Sequence, residues 1–118
     1  MRILLIDDSA DAMAMLAMLL EAQGHSVLAA FSGMSGIALA LSADFDLAIV
    51  DLGLPDMDGI EVIKTLHYSC LDKGCRIFVY TGRNDSEARL EAEMAGAYDF
   101  FVKGGDIAQL LDKTKNIS

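Results

Sequence analysis

Four short apolar runs in this chain each stop on a side chain with chemistry to offer: Ile3–Ile6 on Asp7 and Asp8, Leu47–Val50 on Asp51, Ile77–Tyr80 on Thr81, and Phe100–Val102 on Lys103. Runs of this length, separated by stretches of helical periodicity, are the pattern of strands buried on both faces, as in a parallel sheet. The carboxyl ends of parallel strands lie along one edge, where open α/β sheets put their ligands. Three acids, a hydroxyl and an ammonium are therefore expected to meet there.

The segments between the runs read as helices. Ser9 is an N-cap, and Ala10, Met13, Leu16, Ala17 and Leu20 share one face until Gly24 ends the first helix. Ser26–Ala30 reads as a second strand, and a second helix opens after Gly33 with Met34, Ile37, Ala38 and Leu41 inward. Asp46–Asp51 is the third strand. The loop from Gly53 to Gly59 holds the only proline, Pro55, and a helix runs from about Ile60 to Tyr68. Arg76–Thr81 is strand four, Gly82–Asp85 a loop, and Ser86 the cap of a helix that turns Ala88, Ala92 and Ala95 inward and leaves Leu90 and Met94 outside. After strand five, Asp99–Val102, the residues Lys103-Gly104-Gly105 turn the chain. Asp106 caps a last helix with Ile107, Leu110 and Leu111 inward. Five strands alternating with five helices, joined by right-handed crossovers, make a doubly wound α/β sheet, although periodicity does not fix the strand order. The segment Lys113–Ser118 reads equally as a tail or as the start of a linker.

At 118 residues the expectation is a single domain, 1–118, with a real core. The longest uncharged apolar stretch, Ala12–Leu20, is too short to span a bilayer, and Met1-Arg2 before an apolar run cut off by two acids is no signal peptide. The expected location is the cytoplasm. A formal charge of −9 argues against direct binding to nucleic acid or to an anionic membrane. Cys70 and Cys75 have no histidine or cysteine nearby at metal-ligand spacing; reduced thiols are the expectation, ahead of a local disulfide.

Each strand-end residue alone has a plain explanation as an N-cap, a turn former or a surface lysine. Turn formers need not be chemically complementary, however, and these are. Three carboxylates close together repel and raise one another's pKa unless a cation sits among them. A hard divalent ion suits them, and oxygen ligands from two strands fit Mg²⁺ better than an all-protein Ca²⁺ cage. Lys103 and the Thr81 hydroxyl can meet the remaining oxygens of a phosphoryl group, so a carboxylate among them is a nucleophile for phosphorus, giving an aspartyl phosphate.

The motifs Ile6-Asp7-Asp8-Ser9, Val50-Asp51-Leu52-Gly53-Leu54-Pro55-Asp56-Met57-Asp58-Gly59, Tyr80-Thr81-Gly82, Gly96-Ala97 and Phe100-Phe101-Val102-Lys103 stand in order over essentially the whole chain. Together they resemble the receiver domain of two-component response regulators. The resemblance implies the flavodoxin-like (βα)5 sheet with order 2-1-3-4-5. It implies Asp51 as phosphoacceptor, Asp8 as a direct and Asp7 as a water-mediated Mg²⁺ ligand, the Gly53 carbonyl completing the protein's share of the metal shell, and the Gly82 backbone beside the phosphoryl group. The donor would be a phosphohistidine on a sensor histidine kinase or histidine phosphotransfer protein. Thr81 and Phe100 would form the switch, read out on the face of helix four, strand five and helix five by an effector domain or a second copy.

Three departures from the family pattern stand out. Glycines rather than proline follow Lys103, which leaves the lysine the least determined member of the set. The switch aromatic is Phe100 rather than tyrosine; with nothing holding it toward water, it is expected to be buried in a larger share of molecules before phosphorylation. Gly53 and Arg83 occupy positions where an amide or acid would orient attacking water, so autodephosphorylation is expected to be slow. The alternative reading is a pseudo-receiver, an interaction module of the same fold that is never phosphorylated. An aspartyl-nucleophile phosphatase would want a second carboxylate two residues after Asp51, where Gly53 stands, and a flavodoxin would not put two acids after strand one.

Overall fold

In a computed structural model describing residues 1–116, strands and helices alternate from start to end. They are β1 (Arg2–Ile6), α1 (Ala10–Ala22), β2 (Ser26–Ala30), α2 (Gly33–Ser42), β3 (Leu47–Val50), α3 (Gly59–Cys70), β4 (Arg76–Thr81), α4 (Ser86–Ala95), β5 (Asp99–Val102) and α5 (Ile107–Asn116). The strands form one parallel sheet in the order β2-β1-β3-β4-β5. The order reverses between β1 and β3, which opens a crevice at their carboxyl ends. No helix among the described residues is long and apolar enough to cross a membrane. Of the segment Lys113–Ser118, α5 takes the part up to Asn116; Ile117 and Ser118 lie outside the described residues.

Alternation along the strands feeds two cores. Leu4, Ile6, Ala48, Val50, Ile77 and Val79 pack beneath α2, α3 and α4, where Ile63, Leu66, Ala88 and Ala92 meet them. Ile3, Leu5, Leu47, Ile49, Phe78, Tyr80 and Phe101 pack under α1 and α5 against Met13, Leu16, Leu20 and Leu110. The inward faces expected of α4 and α5 are those observed, and Leu90 and Met94 are exposed. In α1, Met13, Leu16 and Leu20 are buried and Ala17 half-buried, but Ala10 is exposed.

Helix α2 is turned differently from the expectation. Met34 and Leu41 are 66% and 70% exposed and Ala38 is also outside, while Gly33, Gly36 and Ala40 face the sheet with Ile37 half-buried. Both stripes have helical spacing, and close approach chooses between them. A Cβ at Gly36 would overlap the Ile6 side chain, and one at Gly33 would overlap Met57, so the helix lies where only small residues fit. Two caps also differ. Asp85, one residue before Ser86, caps α4 by accepting from Ala88 N at 2.6 Å. Asp106 starts α5 through its carbonyl, which accepts from Leu110 N, but its carboxylate reaches back to Val102 N at 2.9 Å.

The cysteines correct the expectation of reduced thiols: Cys70, the last residue of α3, is disulfide-bonded to Cys75, just before β4, with Cα atoms 5.0 Å apart. The short exposed turn between helix and strand folds back on itself and brings the two side chains within bonding reach.

Candidate functional site

Register brings the site together. Ile6 stands opposite Val50, so Asp7 and Asp51, each one residue past its strand, emerge side by side at the crevice. The Asp51 N–H donates to the Ile6 carbonyl at 2.9 Å and fixes this start of the β3–α3 loop. Thr81 closes β4 opposite Val102, and Lys103 follows one residue on, its N–H donating to the Thr81 carbonyl at 2.8 Å.

The lysine is better determined than its glycines suggest. Its ammonium lies 2.7 Å from Asp7 Oδ2 and 3.0 Å from Asp51 Oδ2. Gly104 takes a φ of +93°, a turn that a residue with a Cβ adopts only with strain, while the hydrogen bonds of Lys103 N and Val102 N pin the backbone before it. The buried Tyr80 ring lies below, its centroid 6.0 Å from the ammonium. Freedom in Gly104 and Gly105 is therefore spent beyond the functional side chain.

The two buried carboxylates differ in their surroundings. Burial would raise the Asp51 carboxyl, but the Thr81 hydroxyl, the Gly53 N–H (3.1 Å from Oδ1) and the Lys103 ammonium outweigh it and hold it below the ordinary carboxylate range. For Asp7, burial prevails and the Asp51 charge adds to it, against Lys103 and the Ser9 N–H at 2.9 Å, so this carboxyl is held above that range. The shorter contact to lysine thus belongs to the carboxyl that is raised; proximity to one cation does not offset desolvation beside a second anion. Burial would lower the Lys103 ammonium, but the two carboxylates raise it.

Asp8 completes the cluster from an exposed position: Asp7, Asp8 and Asp51 can each offer one oxygen, all within 4.8 Å of one another. A set of carboxylate oxygens at this spacing suits a hard divalent cation. Gly53 and Gly82 are exposed, and nothing lies within 4 Å of a Cβ placed on Gly82. The Arg83 guanidinium pairs with Asp85 at 3.5 Å in an exposed setting, and its backbone N–H lies 3.5 Å from the Thr81 hydroxyl oxygen. Phe100 is half-buried toward α4 rather than enclosed, and the guanidinium of Arg89 lies over its ring.

Sequence reasoning missed the anchor of the loop after Asp51. The Asp56 carboxylate accepts from Gly33 N at 2.8 Å and Met34 N at 2.9 Å, tying the β3–α3 loop to the first turn of α2. The available signal was a second acid in a loop whose Asp58 already caps α3.

The family model for the response regulator receiver domain matches residues 3–115. PilH of Pseudomonas aeruginosa is 31% identical over 115 residues, covering 98% of this chain and 94% of that protein. The cell cycle transcriptional regulator CtrA of Caulobacter vibrioides is 31% identical over 103 residues, 87% of this chain and 44% of that protein. The chain spans about half the length of the curated transcriptional regulators it matches. Among solved structures, a CheY-like receiver domain protein from Methanospirillum hungatei superposes with a TM-score of 0.89 at 31% identity, over 98% of this chain and 90% of that one. An acidic cluster at the switch point of a 2-1-3-4-5 sheet and a family match over nearly all its length make this chain a response regulator receiver domain, a phosphoacceptor module of two-component signalling rather than a classical enzyme.

Proposed function

We propose that Asp51 is the residue that accepts the phosphoryl group, from a phosphohistidine on a sensor histidine kinase or histidine phosphotransfer protein in the cytoplasm. The observation that carries this reading is the Lys103 ammonium bridging Asp7 and Asp51 at the crevice, at 2.7 and 3.0 Å. An Asp51 Oδ attacks phosphorus, the phosphorus–nitrogen bond of the donor breaks, and the leaving imidazole takes up a proton. Lys103 is placed to leave Asp51 for the incoming phosphoryl oxygens, and the Thr81 hydroxyl and Gly82 N–H donate to the same group. Asp7, Asp8, Asp51 and the Gly53 carbonyl would hold Mg²⁺. When bound, that ion neutralises charge on the transferring group.

The new dianion draws Thr81 toward it and Phe100 follows inward, a population shift read on the face of α4, β5 and α5. Leu90 and Met94, 57% and 79% exposed, are apolar side chains on the outer surface of α4, where Met94 borders a groove against Ile60 and Lys64 of α3. With glycine at position 53 and Arg83 paired to Asp85, no side chain at these positions orients attacking water, and the phosphoryl group is long-lived. Loading with acetyl phosphate and Mg²⁺, then following decay of the added mass, tests both parts. Uptake of one phosphoryl group persisting well beyond seconds is expected; no uptake, or loss within seconds, contradicts the corresponding part.

A further inference from the structure

The switch aromatic has a neighbour that the family resemblance does not assign. Phe100 packs on one side against the core cluster beneath α4 and is half-buried. On the other side the guanidinium carbon of Arg89, an exposed α4 residue, stands 4.7 Å from its ring centroid, within range of a cation–π contact. The Phe100 N–H is tied to Asp99 Oδ1 at 2.8 Å, so the backbone is fixed while the ring keeps its side-chain torsions. Among the described residues Arg89 has no ion-pair partner.

We propose that Arg89 is the positioning residue of the switch, its guanidinium lying over Phe100 and holding the ring in the half-exposed resting position. Phenylalanine has no hydroxyl with which to hydrogen-bond outward, and the stack takes over that part. The proposal rests on the reading of Thr81 and Phe100 as a coupled switch. If the inward ring belongs to the state that binds a phosphoryl group better, removing the stack raises the population of that state and tightens apparent binding by the same factor. For an exposed cation–π contact the factor is about two- to fivefold.

The test combines an Mg²⁺-dependent beryllofluoride titration with NMR of ring-labelled Phe100 in the presence of a soluble paramagnet. Arg89→Met, which keeps the apolar stem and removes the charge, is expected to bind beryllofluoride about two- to fivefold more tightly and to shield the ring from the paramagnet before any ligand is added. Arg89→Lys, with a weaker stacking partner, should fall between. In a Phe100→Ala background Arg89→Met should change nothing. An unchanged ring exposure in Arg89→Met, or an equal affinity change with and without the ring, overturns the proposal. Failure of the parent chain to bind beryllofluoride would instead overturn the reading of Asp51, and ring exposure would still decide whether the stack holds Phe100.

Discussion

At the carboxyl ends of the strands Asp7, Asp8 and Asp51 crowd within 4.8 Å, with Lys103 the one cation bonded among them in the described residues. At the amino ends several polar groups are bonded to one another, although the buried His25 Nε2 has no partner among the described residues. Arg2 N donates to Asp46 Oδ2 at 2.7 Å, Asp46 N to the Arg2 carbonyl at 2.8 Å, and Arg76 N to the Asp46 carbonyl at 3.1 Å. The Arg76 guanidinium lies over the Tyr98 ring, and the Cys70–Cys75 bridge ties α3 to the start of β4. One sheet thus has a pole that holds the chain together and a pole where three carboxylates face one ammonium. The second is costly without a divalent cation among its carboxylates, and that cost makes it responsive to one.

Changes at the two poles should separate function from stability. The largest effect is expected from Lys103→Met. Phosphoryl uptake should fall by about 10²–10³-fold, the loss seen when one donor to a developing charge is removed. Mg²⁺ binding, measured by calorimetry, should persist, because the ammonium no longer competes for Asp7 and Asp51. At the opposite pole, reducing the Cys70–Cys75 bridge releases a loop closed over a sequence separation of five. By chain entropy this costs about 2 kcal/mol. A melting temperature lowered by several degrees, with beryllofluoride binding unchanged, is the expected result.

Asp7→Asn should move stability the other way. A carboxyl held above its ordinary value destabilises the fold at every pH above that raised value, and the penalty disappears below the ordinary carboxylate range. The metal-free variant should therefore melt a few degrees higher than the parent at neutral pH, with the gap closing as pH falls toward 4. Asp51, held below its ordinary value, has the opposite sign: its contribution is present above the ordinary range and is lost as pH falls through the lower native value. An Asp7→Asn protein no more stable than the parent at neutral pH would remove the contrast between the poles. The smallest effect expected is the two- to fivefold change on breaking the Arg89–Phe100 stack.

Strands β1, β3 and β4 were legible because burial on both faces writes itself as uninterrupted apolar runs, and β2, β4 and β5 begin and end where the sequence puts them although β2 and β5 are only partly buried. The strand-end residues followed from that, since parallel strands share one carboxyl edge. Helix α2 was not legible in the same way: Met34, Ile37, Ala38 and Leu41 fit the helical period as well as Gly33, Gly36, Ile37 and Ala40 do. What decides is the closeness of Ile6 and Met57, a tertiary fact. Asp85 and Ser86 are both good caps, and backbone geometry chose the first. The firmness of Lys103 also lay beyond the sequence, because it comes from the bond to the Thr81 carbonyl and from the Asp106 carboxylate folding back to Val102.

If Asp51 is the acceptor, the cost built into the carboxyl pole serves phosphoryl transfer. This is tested most directly by treating the protein with acetyl phosphate and Mg²⁺ and mapping the modified peptide by mass spectrometry. One phosphoryl group per chain, carried on Asp51, dependent on Mg²⁺ and absent from Asp51→Asn, is the expected result. A modification on another residue, or equal uptake by Asp51→Asn, would contradict it.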